Sequence, residues 1–314
     1  RQMCIRDRYY NYNYEYLSGQ KTNFFDPSNP ELDNGGAIQS LGSNTQNHNI
    51  EGYFVMADYD YDHKYYVSAA FRRDGTSRFK NRWGNFWSVG AAWRISAEEF
   101  MSGTNSWLND LKIRASYGTQ GNENIPLSLN GAYSGRIWTL YQDLYSVTWD
   151  GSQLGTTRAF YGNPDLTWEK VKILDAGVDL SLFGQKLEVT FDWFRKVTDD
   201  MIVNVPSTPS SGLLAAPMNV GKAEVKGYEI GVGFNHSFTK DIDFSINLGY
   251  SYNKSKWLEI TNDELINGNT IYRKGHAIKE YYGYQADHLL TQDDLDFRVP
   301  IIGGYDGATT AQLP

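Results

Sequence analysis

The stretch Lys226–Lys254, KGYEIGVGFNHSFTKDIDFSINLGYSYNK, decides how the rest of the chain is interpreted. On both sides of Thr239-Lys240-Asp241, every second residue is apolar or aromatic, and the residues between them are small or polar. This period-2 alternation predicts two long antiparallel strands joined by a tight turn. With the turn centred on Lys240, three cross-strand pairs are expected: Tyr228 with Tyr252, Val232 with Leu248, and Phe234 with Ile246.

Both strands of this hairpin are longer than the roughly 5–6 residues usual in soluble sheets. A strand that crosses a bilayer at a tilt needs about 9–11 residues. The apolar parity has tyrosines at one end, phenylalanines at the other and aliphatic side chains between, which is typical of a membrane strand with interfacial aromatic girdles. The pattern therefore predicts an all-β, antiparallel transmembrane β-barrel. A soluble β-sandwich or solenoid is the alternative.

The composition of the 314 residues is compatible with such a barrel. The chain has 23 Tyr, 9 Trp, 15 Phe and 30 Gly, and its net charge of −8 argues against nucleic acid as a partner. The sequence has no run of 18 apolar residues, so no transmembrane helix is expected. The single cysteine, Cys4, lies in RQMCIRDR. We expect residues 1–8 to be a non-native leader, which is left out of the fold prediction, and residues 9–314 to be part of the barrel.

Six further segments share the alternation of the hairpin and are predicted to be strands. They are Ile50–Tyr61, Lys64–Arg73, Phe86–Ile95, Leu111–Gly118, Trp168–Leu182 and Lys186–Val197. Residues 9–48 are expected to be mostly a long loop, after the end of a possible strand. SAEEF predicts one helical turn with Ser96 as its N-cap. A weaker strand is expected near Tyr272–Tyr284.

The connections between these strands alternate between short and long. Bacterial barrels have short periplasmic turns and longer external loops, which places residues 74–85, 119–166 and 198–225 outside the cell. The strand parity opposite the apolar one is then the barrel's inner wall. We expect this wall to be hydrated, and its charged members are Lys112, Arg114, Asp175, Asp179, Glu188, Asp192 and Glu229.

Candidate catalytic and metal-binding motifs are weak in this sequence. The five histidines are scattered, and Asp293, Asp294 and Asp296 lack the spacing of a calcium loop. GTQGNEN (residues 118–124) lacks the Lys-Ser/Thr and the helix of a phosphate loop. We therefore predict no enzyme activity, no cofactor and no metal.

One external loop is the candidate for contact with a substrate or a partner. Aromatic faces can stack on sugar rings, and carboxylates can accept hydrogen bonds from hydroxyl groups. The residues of these types in the loop are Trp138, Tyr141, Asp143, Tyr145, Trp149 and Asp150. The alternative is that they only pack the loop against the barrel or the membrane interface.

Several blocks resemble the SusC/RagA-type family of TonB-linked outer-membrane transporters. They are RRDGTSRF (Arg72–Phe79), WGNFWSVGAAWRISAEEF (Trp83–Phe100), LKIRASYGTQGN (Leu111–Asn122), NPDLTWEK (Asn163–Lys170) and NVGKAEVKGYEIGV (Asn219–Val232). The blocks occur in the family's order and cover most of residues 50–255.

The resemblance implies an outer-membrane barrel of about 22 strands, of which this chain would supply about 8–10, without the plug domain and the final strand. It also implies import of oligosaccharides or peptides, energy supplied by TonB through the plug, and a SusD-like surface lipoprotein as partner. Two alternatives stay open: a passive porin-type barrel, and a soluble carbohydrate-binding β protein.

Overall fold

A computed structural model describes residues 2–26, 28–29, 31–123, 139, 141–149, 153–206, 210, 215–239, 241–261, 264–267 and 269–283. Within them we number the strands β1 to β14 in chain order. Their bounds are Gln2–Phe24, Gly35–Tyr61, Tyr65–Thr76, Trp83–Arg94, Leu108–Asn122, Leu144–Trp149, Leu154–Phe160, Glu169–Leu182, Leu187–Pro206, Ala215–Thr239, Ile242–Glu259, Glu264–Asn267, Thr270–Arg273 and Glu280–Tyr281. None of the helices in these ranges has the length and apolar character needed to cross a membrane.

Nine strands form one antiparallel sheet in the order β1-β2-β3-β4-β5-β8-β9-β10-β11. Neighbours in the sheet are also neighbours along the chain, except that the two-stranded sheet β6–β7 is inserted between β5 and β8. An up-and-down order of long strands is the arrangement of a membrane barrel wall. The strand order follows directly from the predicted succession of hairpins.

The β10–β11 hairpin has the register that the alternation predicts. Tyr228 pairs with Tyr252, Val232 with Leu248 and Phe234 with Ile246. The tyrosine rings of the first pair lie 5.7 Å apart between centroids. Because side chains alternate between faces, this register puts the apolar residues from Tyr228 to Phe234 and from Ile242 to Tyr252 on one face of the sheet.

The apolar face of the nine-stranded sheet is exposed. Leu248 is 61% exposed and Val67 is 51% exposed, although both lie in the middle of long strands. Burying such side chains in an apolar environment is favourable by about 1.5–3 kcal/mol each. Lipid acyl chains can cover a continuous apolar face of this kind, which agrees with the membrane barrel predicted from the sequence.

The first two strands correct the prediction for the N-terminal region. β1 and β2 form a long antiparallel hairpin in which Gln2 pairs with Asp58 and Phe24 pairs with Gly35. The long loop expected within residues 9–48 is therefore wrong, since only residues 25–34 connect the strands. Residues 2–8 also belong to β1. Their non-native origin stays a prediction.

The strands continue beyond the apolar segments at the end where the predicted external loops lie, which we call the long-loop end. β9 extends to Pro206 and β10 begins at Ala215, so most of the predicted loop 198–225 is strand. The predicted loop 119–166 contains β6 and β7, which we call the loop hairpin. Polar strand extensions lack the alternation that identifies a membrane strand, and for this reason they were missed.

The connection between β4 and β5 contains two 3-10 helices, Ile95–Ala97 and Glu99–Thr104, where one helical turn was predicted. Ser96 is not an N-cap, because its hydroxyl donates to Asp110 Oδ1 at 2.7 Å. Glu98 occupies the centre of the connection. It accepts hydrogen bonds from Tyr65 Oη at 2.6 Å and from Trp93 Nε1 at 3.0 Å.

The predicted strand near Tyr272–Tyr284 is a small sheet formed by β12, β13 and β14. It packs on the inner face through Trp257, which is 3% exposed and whose ring centroid lies 5.6 Å from that of Tyr272. Trp257 Nε1 donates to the carbonyl of Ile278 at 3.2 Å. Asp293, Asp294 and Asp296 lie outside the described residues.

Candidate functional site

An aromatic cluster covers the inner face at the long-loop end. We call it the mouth cluster, and its members are Phe79, Phe86, Phe160, Leu166 and Trp168. Trp168 lies edge-on to Phe79 and Phe86, with ring centroids 5.9 and 5.6 Å away. Edge-to-face pairs add about 0.5–1.5 kcal/mol each to the burial of the rings. The cluster gives the upper inner wall a rigid core.

The loop hairpin is anchored on this core. Its first and last residues, Leu144 and Phe160, are register partners, and Phe160 is 1% exposed within the mouth cluster. Asp143 closes the base of the hairpin, because its Oδ1 accepts a hydrogen bond from the Gly162 backbone at 2.9 Å. The hairpin is thus fixed to the inner wall at both of its ends.

Arg158 organises the exposed face of the loop hairpin. Its Nε lies 3.3 Å from Asp143 Oδ2. Its guanidinium carbon lies 5.7 Å from the ring centroid of Tyr145 and 4.7 Å from that of Tyr161. The two tyrosines are 53% and 43% exposed. The two aromatic faces can stack on a planar or ring-shaped ligand, and the guanidinium between them can donate hydrogen bonds to that ligand.

The structure brings together some of the residues that the sequence put forward. Asp143 and Tyr145 meet at Arg158, and Tyr141 is half-buried just before the hairpin. Trp149 ends β6 and pairs with Leu154 in the register. Trp138 and Asp150 lie outside the described residues.

Arg158 and Tyr161 were missed, although the sequence contained a signal for them. Asp-Gly between two short alternating runs is a strong hairpin signal, and Asp150-Gly151 stands between such runs. This signal predicts the hairpin but not its register, because a two-residue turn at Asp150-Gly151 would place Thr156 opposite Tyr145. In the structure the register partner of Tyr145 is Arg158.

A cavity of about 490 Å³ lies beside the mouth cluster. Its lining includes Phe86, Trp168, Arg72, Asp74, Gln120 and Glu123. The Arg72 Nε atom lies 2.6 Å from Asp74 Oδ2, and Glu123 Oε1 lies 3.2 Å from His48 Nε2. The cavity therefore has an aromatic wall and a polar wall whose carboxylates already have partners within the chain.

Lower on the inner face, Arg114 is surrounded by three carboxylates, and we call this group the Arg114 network. The distances are 3.5 Å from Arg114 Nη1 to Asp175 Oδ1, 3.2 Å from Nε to Asp179 Oδ2, and 2.6 Å from Nη2 to Asp192 Oδ1. One cation against three carboxylates leaves the network acidic. The other charged residues predicted for the inner wall do not belong to this network. Lys112 Nζ lies 5.0 Å from the Tyr66 ring centroid, and Glu188 and Glu229 are exposed.

Hydrogen bonds join the sequence blocks singled out above at the long-loop end. Asn219 donates to the carbonyls of Thr167 and Asp200, at 3.0 and 2.7 Å. Trp168 Nε1 donates to the carbonyl of Arg82 at 3.0 Å, and Asn122 donates to Glu169 Oε2 at 2.7 Å. Blocks that are far apart in the chain thus form a single scaffold around the mouth cluster.

Comparison with known protein families agrees with this architecture. The family model described as "TonB dependent receptor-like, beta-barrel" matches residues 5–309. The chain belongs to this family. Its nine-stranded sheet is therefore part of a TonB-dependent receptor barrel, and the chain lies in the outer membrane. The soluble alternative is set aside, and the long-loop end is assigned to the cell exterior.

Two curated TonB-dependent receptors illustrate the relationship. Receptor P39 of Formosa agariphila is 32% identical over 266 residues, which cover 84% of this chain and 25% of P39. The receptor SusC of Bacteroides thetaiotaomicron is 26% identical over 254 residues, which cover 75% of this chain and 25% of SusC. The chain thus spans about a quarter of the length of these curated relatives.

A solved structure described as the RagAB peptide transporter has the same fold over most of the chain. The match has a TM-score of 0.79 at 24% identity and covers 89% of this chain and 31% of the solved one. This likeness supports the strand order and the barrel wall of the TonB-dependent receptor fold.

Proposed function

We propose that this chain forms part of the wall and the mouth of a TonB-driven importer of oligosaccharides or peptides, working with a SusD-like surface lipoprotein. The observation that carries the proposal is the exposed pair Tyr145 and Tyr161 around Arg158, held at the extracellular end of the inner wall. An importer needs such a fixed recognition surface above its channel. Of the related proteins, the RagAB transporter is described as a peptide transporter, which supports the peptide class.

The negative charge of the inner wall below the mouth favours cargo that is neutral or cationic. The Arg114 network has two carboxylates more than it has cations. An acidic channel wall disfavours anionic cargo by like-charge repulsion. In the whole receptor the same charges can also pair with a plug domain, which is the second role we propose for them.

Binding to the purified receptor in detergent tests the recognition surface. We expect Arg158→Ala and Tyr145→Ala each to weaken binding of a mixed peptide pool or of a neutral oligosaccharide pool by tenfold or more. Leu154→Ala is the matched control, because Leu154 lies on the same hairpin, is 65% exposed and is remote from Arg158 along the register. The pool that binds identifies the cargo class. Unchanged binding of both pools by both variants would contradict the proposal.

Uptake in cells separates active import from the passive porin alternative. Cells expressing the receptor should lose uptake of the bound pool when TonB is deleted, because passage then lacks its energy source. A passive barrel would continue to admit the same molecules down their gradient. Uptake that persists without TonB would therefore replace the importer with a porin.

A further inference from the structure

The outward face has a row of three cations just above the aromatic girdle, and we call Arg195, Lys226 and Lys254 the rim cations. Lys226 on β10 is the register partner of Arg195 on β9 and of Lys254 on β11. All three share the outward parity with Trp193, Tyr228 and Tyr252, which form the next row towards the membrane centre. Neighbouring strands are about 4.8 Å apart, so the three charges are crowded into a short line.

Such a row is unfavourable for the protein by itself. Like charges directly opposite each other in an antiparallel pair destabilise the sheet. Arg195 is compensated by Glu224, with 2.6 Å between its Nε and Oε2. Within the part of the chain that the structure describes, neither Lys226 nor Lys254 forms an ion pair with a carboxylate. An anion from outside the chain would remove this repulsion.

Cations outnumber carboxylates around this row, and two of the carboxylates lie beneath the cations, whereas a third, Glu259, lies 3.5 Å from Lys222 and is 67% exposed. Asp199 bridges Lys172 and Lys222, at 2.6 and 3.2 Å, and Glu224 also lies 3.4 Å from Lys256. The side chains of Asp199 and Glu224 are only 16% and 6% exposed, whereas those of the four paired cations are 35–50% exposed. The patch presents a positive surface on a chain whose net charge is −8.

A cleft of about 300 Å³ lies in this patch. Its apolar side is lined by Tyr117, Leu174, Val197 and Leu258. Its charged side is lined by Lys172, Arg195 and Lys222, together with Asp199, the carboxylate that the two lysines share. All of these residues have the outward parity, so the cleft opens towards lipid and not into the channel. An amphipathic cleft at the height of the aromatic girdle fits a molecule with an anionic head and an apolar tail.

We propose that the rim cations and the adjoining cleft bind a phosphorylated lipid of the outer leaflet. The phosphate lies between Lys226 and Lys254 and relieves their repulsion, and an acyl chain follows Leu174 and Val197 along the wall. Lysine and arginine are strong phosphate ligands through charge-assisted hydrogen bonds. This site is independent of the cargo, because it lies on the opposite face of the sheet from the Arg114 network.

The test compares stability in two kinds of vesicle, made from phosphatidylcholine alone or from phosphatidylcholine mixed with monophosphoryl lipid A. The Lys226→Gln/Lys254→Gln variant should resist urea better than the wild type in the neutral vesicles, where only repulsion is removed. In the phosphorylated vesicles the order should reverse, because the variant has lost its ligand. The matched control is Lys112→Gln/Lys196→Gln, which removes two cations of the inward parity and should show no reversal.

Direct binding distinguishes a lipid from free phosphate. Native mass spectrometry of the full receptor should show bound monophosphoryl lipid A on the wild type and at least tenfold less on Lys226→Gln/Lys254→Gln. Dephosphorylated lipid A should bind neither protein. Equal binding of the two lipids, or equal stabilisation of the wild type by inorganic phosphate alone, would overturn the proposal.

Discussion

Arg114 Nη2 lies 2.6 Å from Asp192 Oδ1, and the contact crosses directly over Gly177 on the strand between them. A Cβ atom at Gly177 would lie 2.4 Å from Asp192 Oδ1 and 2.8 Å from Arg114 Cζ. The absence of a side chain at Gly177 is therefore what allows an ion pair to span two strand spacings. Both charged residues were predicted from the sequence to lie on the inner wall, whereas the role of the glycine between them was not predicted.

The first prediction concerns this glycine. Gly177→Ala should lower the free energy of unfolding by about 1–2 kcal/mol, because the methyl group would separate the partly buried ion pair between Arg114 and Asp192. Urea titration of the receptor in phospholipid vesicles measures this. Gly249→Ala is the control, since a Cβ atom there meets nothing within 4 Å. Equal losses from the two variants would mean that the ion pair is not what Gly177 protects.

The second prediction tests which face meets lipid. Leu248→Arg should cost about 2–4 kcal/mol in vesicles, because a guanidinium would enter the hydrocarbon layer. Asn247→Arg, one residue away on the inward parity, should cost much less. The same urea titration compares the two. If Asn247→Arg proved the more damaging of the pair, the assignment of the faces would be reversed.

The third prediction concerns the anchor of the loop hairpin. Phe160→Ala removes a side chain that is 1% exposed from the mouth cluster, and such truncations cost about 3–5 kcal/mol of packing. Because the hairpin is its own small sheet, we expect local release with the barrel intact. Limited chymotrypsin digestion should then cleave residues 141–162 at least tenfold faster. Leu154→Ala, at the exposed end of the hairpin, should digest like the wild type.

The fourth prediction is a pH dependence at the periplasmic connection. Hydrogen bonds from Tyr65 and Trp93 and the charge of Lys64 hold the pKa of Glu98 below its ordinary value of 4.5. A carboxyl with a lowered pKa stabilises the fold above pH 4.5 and loses that contribution as the pH falls through its folded value. The wild type should therefore lose stability below about pH 4.5 in unfolding titrations, and Glu98→Gln should flatten that loss.

The control for this prediction is the neighbouring Glu99→Gln, because Glu99 is exposed and has the same formal charge. It should leave the acid profile of the wild type unchanged. A profile flattened equally by both variants would point to net charge and not to the Glu98 hydrogen bonds.

The strands inside the bilayer were predictable because lipid imposes a strict rule on one face. Val232 and Leu248 cannot change places with Gly233 and Asn247 without exposing polar groups to hydrocarbon, so the alternation specifies the register. Outside the bilayer this constraint is absent. The paired extensions of β1 and β2, rich in Asn, Ser and Gln, are held by backbone hydrogen bonds, which leave no apolar pattern in the sequence.

The candidate site was predictable only in part for a similar reason. Aromatic and acidic residues such as Tyr145 and Asp143 can be noticed one by one. Their meeting at Arg158 depends on a short hairpin whose six or seven residues per strand give little periodic signal. The mouth cluster brings together Phe79, Phe86 and Trp168 from distant segments, and single-sequence patterns do not show which distant segments meet.

The adjacency of β5 and β8 in the sheet has an evolutionary consequence. The residues between these strands, 123–168, leave the barrel and return to the position next to where they left it. Insertions, deletions or replacements that precede the anchor residues Phe160, Leu166 and Trp168 leave every pairing of the nine-stranded sheet untouched. The ligand preference of related receptors can thus change through replacement of this segment, while the membrane-spanning strands stay the same.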